Sequence, residues 1–183
     1  MKIGFCGKMS VLDKQEKLII VGSSGSGKDY LLRELDKQGL KISIKVTSRP
    51  QRQNEIDGVN YHFKKLEDFN NLDLIVSQDF YNDKKELWKY GILKEDFNNS
   101  QAFIMTPGEI SQIDEITRKG CFVVYLDIDR SIREKRIIKR NDNNDSVMRR
   151  LDADDIDFLG FKDYDLKITD PEFDVESIIS LMN

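Results

Sequence analysis

The apolar run Lys17-Leu18-Ile19-Ile20-Val21 feeds directly into Gly22-Ser23-Ser24-Gly25-Ser26-Gly27-Lys28-Asp29, which opens onto Tyr30-Leu31-Leu32-Arg33-Glu34-Leu35. A β-branched run, a turn made almost wholly of Gly and Ser, and leucines at helical spacing predict a strand, a tight loop and a helix. Glycines let successive backbone N–H groups converge on an anion without Cβ clashes, and the helix N-terminus that follows adds a favourable dipole. Lys28 supplies a mobile positive charge. The segment from Gly22 to Asp29 therefore reads as a phosphate-binding loop, with Ser23, Ser24, Gly25, Ser26 and Gly27 as its body and Lys28 as its catalytic cation. Such loops usually end in Ser or Thr, whose hydroxyl binds Mg²⁺. Asp29 stands there instead, and because a carboxylate is also a hard oxygen ligand, it is the candidate metal residue.

A chain of 183 residues, 39% hydrophobic and 34% charged, is long enough for one domain with a full core. Its net charge of −4 argues against a general nucleic-acid binder, which needs a basic face to displace counterions. No apolar run reaches membrane-spanning length, and the stretch after Met1 is too short for a signal peptide, so a cytoplasmic protein with neither membrane nor nucleic-acid partners is expected. Cys6 and Cys121 have no metal-like spacing and are expected to be reduced thiols. His62, the single histidine, sits in a strand-like piece and is read as structural or surface-exposed.

Gly39 marks a helix stop, after which Leu40 to Val46 alternates as a half-buried strand would. From about Thr47 to Asn99 the pattern breaks into short strand-like pieces (Val59 to Phe63, Leu74 to Val76), a short helix near Leu66 and scattered aromatics, which reads as an inserted lobe. Strands and helices then alternate again: Ala102 to Met105, a helix over Pro107 to Lys119, Cys121 to Leu126, and a helix over Ser131 to Arg140. A polar Asn/Asp loop follows, then a helix through Phe158, a strand at Leu166 to Ile168 and a helix from Val175. Alternation of this kind predicts an α/β fold with a parallel sheet covered by helices on both faces, binding its ligand at the carboxyl ends of the strands.

After the second strand comes Thr47-Ser48-Arg49-Pro50-Gln51-Arg52, followed by Glu55, Gly58 and Tyr61. Two arginines three apart with Glu, Gly and Tyr at these offsets resemble the phosphate-gripping segment of guanylate kinases. Lys135 to Arg140, the Asn/Asp loop and Ser146 to Leu151 are similar to that family's lid. Tyr164 to the end resembles its last strand and helix, and Tyr90-Gly91 matches its Tyr-Gly step. The likeness covers Lys17 to Asn183. It implies a P-loop three-layer fold in a single domain: a core at 17–46 and 100–183, an acceptor-binding lobe at about 47–99, and an arginine-bearing lid at about 136–150. It also implies ATP and Mg²⁺, small-molecule nucleotides as partners, and phosphoryl transfer from ATP to a nucleoside monophosphate, GMP or dGMP by default. The acceptor residues it implies are Ser48, Arg49, Arg52, Tyr61, Tyr90 and Thr106. Planar guanidinium groups suit bidentate phosphate contacts, and Arg136 and Arg140, four apart on one helix face, are expected to reach the phosphates together with Arg150.

The chain departs from that family where the base is read. Guanylate kinases use carboxylates, which accept from the guanine N1–H and amino groups. Here the matching places fall near Val76-Ser77-Gln78 and on Met105-Thr106-Pro107, leaving Asp79, Asp83 or Glu86 as replacements. Gly27-Lys28-Asp29 also resembles the ribose 1,5-bisphosphate kinases, so a sugar-phosphate acceptor is a second reading. A non-catalytic guanylate kinase-like binding module is a third, and the intact Lys28 and lid arginines count against it.

Overall fold

The computed structural model describes residues 17–82, 84–140 and 146–180. The opening apolar run forms β1 (Lys17–Gly22), and the leucine-spaced segment after the loop forms α1 (Lys28–Lys37). A middle stretch follows: β2 (Val46–Thr47), β3 (His62–Phe63), a 3₁₀ turn at Leu66–Asn71, β4 (Leu74–Tyr81), β5 (Leu87–Leu93) and α2 (Lys94–Asn99). Then come β6 (Ala102–Met105), α3 (Pro107–Ile110), α4 (Glu115–Lys119), β7 (Cys121–Leu126), α5 (Arg130–Arg140), α6 (Val147–Asp157), β8 (Leu166–Ile168) and α7 (Val175–Ser180). The central sheet runs in the order β6-β1-β7-β8 with every neighbouring pair parallel, and a second sheet runs β3-β2-β5-β4. The fold is α/β, a parallel central sheet flanked by helices.

β1 shows why the sheet is covered on both sides. Leu18 and Ile20 pack with Leu31 and Leu35 of α1 and Ile178 of α7, whereas Ile19 and Val21 pack with Phe97, Phe103 and Met105. All four β1 residues are fully buried, each contributing roughly 1.5–3 kcal/mol relative to exposure. Val76 of β4 and Ile92 of β5 lie in that second cluster, so the smaller sheet shares the apolar core of the larger one.

Two expectations differ. Leu40 to Val46 is not a core strand: Ile42 makes one parallel bridge to Ala102, Ser43 N–H donates to the Ala102 carbonyl, and regular pairing begins only at Val46, in the smaller sheet. The alternation marks a segment crossing from one sheet edge to the other. The helix expected over Pro107 to Lys119 is two short helices, because the Asp114 carboxylate accepts from the Ile116 and Thr117 N–H groups and caps α4 separately. No helix among the described residues is long and apolar enough to cross a membrane. Cys121 is a buried free thiol, and Cys6 lies outside the described residues.

Candidate active site

The loop between β1 and α1 sits at the carboxyl end of β1, above the central sheet. Gly25 and Gly27 have φ of 77° and 108°, and a Cβ at Gly25 would stand 2.7 Å from the Arg133 carbonyl, so both conformation and space there require glycine. Lys28 Nζ donates to the carbonyls of Gly22 (2.6 Å) and Ser23 (3.0 Å), which keeps the ammonium folded over its own loop. The Ser24 N–H donates to the carboxylate of Asp154 on α6 at 2.7 Å. Asp154 in turn lies near Arg133 of α5, a buried arginine that also bonds the Ile128 carbonyl and Asp155. Neither Asp154 nor Arg133 stands out in the sequence, since each lies in a helical run of charges.

Across a cleft of about 960 Å³, the smaller sheet presents the arginine segment. Arg49 is 3% exposed, and its Nη2 donates to both oxygens of Glu55 at 2.7 and 2.9 Å while Nη1 donates to the Pro50 carbonyl. Burial disfavours its charge, but the Glu55 bond and the neighbouring Tyr90 outweigh burial and hold its pKa above the ordinary value. Glu55, pushed up by burial, is pulled below the usual carboxylate range by Arg49 and by the Arg52 N–H. Arg49 stacks over the Tyr61 and Phe63 rings at 5.3 and 5.7 Å. Burial raises the Tyr61 phenol, with Tyr90 and Asp29 adding to the shift. Asp29, in the first turn of α1, thus acts electrostatically on Tyr61, on the arginine segment's side of the cleft. Arg52 is more open, at 30% side-chain exposure, and lines the cleft with Tyr61, Tyr90 and, from α6, Arg150. Ser48 has a structural task, its Oγ accepting from the Lys89 N–H of β5.

Thr106 ends β6 and caps α3. Its Oγ1 accepts from the Glu109 N–H, while the Glu109 carboxylate accepts from the Thr106 N–H, a reciprocal capping box that the spacing Thr106-x-x-Glu109 carries in the sequence. The Thr106 hydroxyl donates to Gln78 Oε1 at 2.6 Å. Asp79, the neighbour of Gln78, points to the other face of β4 by strand alternation and pairs with Lys89. Glu86 accepts from the Asn82 amide, and Asp83 lies outside the described residues. The replacement acids considered from the sequence therefore do not line the cleft among the described residues.

Arg136 is not with Arg150. Its guanidinium donates to the carbonyls of Gly25 and Ser26 at 3.2 Å and of Pro171 at 2.7 Å, bracing the loop from the far side. There it lines a second recess of about 650 Å³ with Gly27, Tyr30 and Phe173. The expected convergence of Arg136 and Arg140 on one phosphate cluster fails for Arg136, because three backbone carbonyls hold it. The Arg140 side chain lies outside what is described. Arg149 of α6 stacks over Phe80 of β4 at 4.7 Å. Asp129 caps α5, accepting from the Ser131 N–H and hydroxyl, which hold its pKa low.

A phosphate loop facing an arginine segment across one cleft defines a protein that brings two anionic ligands together. A family model described as guanylate kinase matches residues 14–81. A guanylate kinase of Rickettsia prowazekii is 30% identical, the match covering 87% of this chain and 86% of that protein. One of Mycoplasma genitalium is 32% identical over 85% of this chain and 69% of its own. The structure of a guanylate kinase from Anaplasma phagocytophilum superposes with a TM-score of 0.61 over 93% of this chain and 84% of that one, at 16% identity, a likeness of fold. The chain belongs to the guanylate kinase family.

Proposed function

We propose that this chain transfers the terminal phosphoryl group of ATP to the monophosphate of GMP, giving ADP and the diphosphate. Family membership supports a nucleoside monophosphate kinase, and it favours neither the sugar-phosphate kinase nor the binding-module reading. The observation that carries the reading is the facing of Lys28 and the loop amides against Arg52, Tyr61 and Arg150 across one cleft. Phosphoryl transfer requires positioning and charge neutralisation more than covalent chemistry, and that set of donors supplies both.

In this reading the loop from Gly22 to Asp29 cradles the ATP phosphates, and the recess beside Arg136, Tyr30 and Phe173 takes the nucleoside of ATP. The second sheet is the acceptor-binding lobe. There Arg52 and Tyr61 grip the acceptor phosphate, Arg49 holds Tyr61 in place, and Ser48, Tyr90 and Thr106 shape the wall. The segment around Arg136 to Arg150 is the lid, and Arg150 is its phosphate-facing member. Asp29 fits Mg²⁺: it is exposed on the cleft wall, and Mg²⁺ takes one or two carboxylates with phosphate oxygens and waters rather than a cage of protein ligands. When bound, the ion neutralises charge on the transferring phosphates.

The test is a coupled assay of ADP formation from ATP with GMP as acceptor. ADP release that depends on GMP supports the assignment, and ADP release that appears only with ribose 1,5-bisphosphate overturns it.

A further inference from the structure

Deep in the cleft, beyond Tyr90, the wall made by β4, the end of β6 and α3 is polar in an unusual way. Glu109 is fully buried, and Lys45 Nζ donates to both its oxygens at 2.6 Å, while the Thr106 N–H takes a further position on Oε2. A carboxylate so occupied has no accessible edge left for a ligand. An ammonium, however, has three donors, and Glu109 takes two of them. The third belongs to a lysine whose side chain is 14% exposed and lines the cleft. The second group is Gln78, which pairs in register with Tyr90 across β4 and β5. Its Oε1 accepts the Thr106 hydroxyl proton, while Thr106 Oγ1 accepts from the Glu109 N–H. The side chain lines the cleft, and its Nε2 carries two further donors. This part of the cleft wall therefore offers hydrogen-bond donors, and the Glu109 carboxylate is spent on Lys45.

We propose that Lys45, positioned by Glu109, and Gln78, positioned by Thr106, read the O6/N7 edge of the acceptor base, so that the site selects a 6-oxopurine and is indifferent to its 2-amino group. The inference rests on the nucleotide-kinase reading above, and it names a recognition chemistry different from carboxylates on N1–H and the amino group. Guanine presents acceptors at both O6 and N7, whereas adenine replaces O6 with an N6 amine donor. Donor would then face donor, and both would lose their partners on desolvation. Hypoxanthine keeps O6 and N7 and lacks only the 2-amino group.

The experiment is a kcat/KM series for GMP, IMP and AMP with the full chain and saturating ATP. IMP is expected within about threefold of GMP, and AMP at least about a hundredfold below both, since a site built to bond a polar group rejects the ligand that leaves it unpaired. A GMP preference over IMP of about thirtyfold or more would show that the 2-amino group is read and would overturn the inference while leaving the kinase assignment standing. AMP used as well as GMP overturns it also. Turnover of none of the three overturns the kinase assignment itself. Lys45→Met keeps the packing of the stem but removes the donor, and it should lower the GMP-over-AMP ratio by about tenfold or more. A merely structural Lys45 would lower all three substrates together and leave that ratio unchanged. Lys45→Arg should retain the ratio, and its collapse there with a normal melting temperature counts against the assignment.

Discussion

The two sides of the cleft are built by different rules. On the side proposed for ATP, one continuous stretch from β1 through Gly27 to α1 carries the glycine-rich loop, and its parts meet because they are adjacent in sequence. On the side proposed for the acceptor, Arg49, Tyr61, Gln78, Tyr90 and Thr106 come from five separate places and meet because β2 pairs with β5, β5 with β4, and β4 touches the cap of α3. Local chemistry fixes the first surface, and long-range pairing fixes the second. The first should tolerate changes of fold stability and fail through loss of single charges, whereas the second should couple binding to stability.

Lys28→Ala tests the local side most severely. The ammonium bonds carbonyls of its own loop at Gly22 and Ser23 and packs no core, so the variant should fold normally while kcat falls by at least about a hundredfold, the scale of removing a donor aimed at developing charge. Retained turnover would remove the loop from the chemistry altogether.

Arg49→Ala and Arg52→Ala divide the acceptor side. Truncating Arg49 leaves Glu55 largely buried beside an empty guanidinium site, which should cost about 3 kcal/mol of stability as well as acceptor binding. Arg52, more exposed and 3.9 Å from Glu55, should cost little stability while raising the acceptor KM about tenfold, with ATP affinity measured alone unchanged. A melting temperature equally low in both variants would mean that the segment acts as one structural unit, and the distinction drawn between its arginines would fall.

Asp29 sits where the two sides face each other. Asp29→Ser restores the usual hydroxyl, itself an oxygen ligand, so activity should stay within about tenfold at high Mg²⁺. A loss that added Mg²⁺ does not relieve would assign the carboxylate a task on the acceptor side, consistent with its electrostatic reach to Tyr61.

How much was legible in the sequence follows the same division. The loop, β1, α1, β6, β7 and β8 stand where the apolar runs and glycines put them, because each is specified by its own residues. β5 and α2 carried no recognisable signal, since Leu87 to Leu93 mixes aromatics with Lys89 and Gly91 and takes its strand form from pairing with β4. Lys45 was hidden in a segment whose alternation suggested a core strand, and its partner Glu109 lies 64 residues away. The capping box of Thr106 and Glu109 was present as a spacing, but nothing in it announced that the carboxylate would be buried against a lysine. Arg136 shows the limit of helical spacing: the i, i+4 relation to Arg140 is real, but the loop carbonyls and Pro171 decide where its guanidinium goes.

The smallest expected effect belongs to the hydrogen bond between Asp154 of α6 and the phosphate loop. Asp154 accepts from the Ser24 N–H at 2.7 Å, placing a negative charge beside a loop built to receive phosphates. An anion arriving there meets like-charge repulsion and a donor already engaged, both of which oppose binding in the part-buried site. α6 is held to α5 independently, Arg130 pairing with Asp152 and Asp155 and Arg133 with Asp155, so loss of the Ser24 bond should leave Arg150 near the cleft and act on ATP alone. Asp154→Asn keeps an acceptor oxygen and removes the charge, and it should tighten ATP binding by about threefold in calorimetry, the scale of one modest electrostatic interaction. Asp154→Ala removes both and should give the same gain for ATP with the acceptor KM little changed, because the pairs of Arg130 and Arg133 with Asp152 and Asp155 still hold α6. If ATP affinity falls in both variants, the carboxylate supports the loop rather than competing with the nucleotide, and the phosphate cradle is less self-contained than its sequence makes it look.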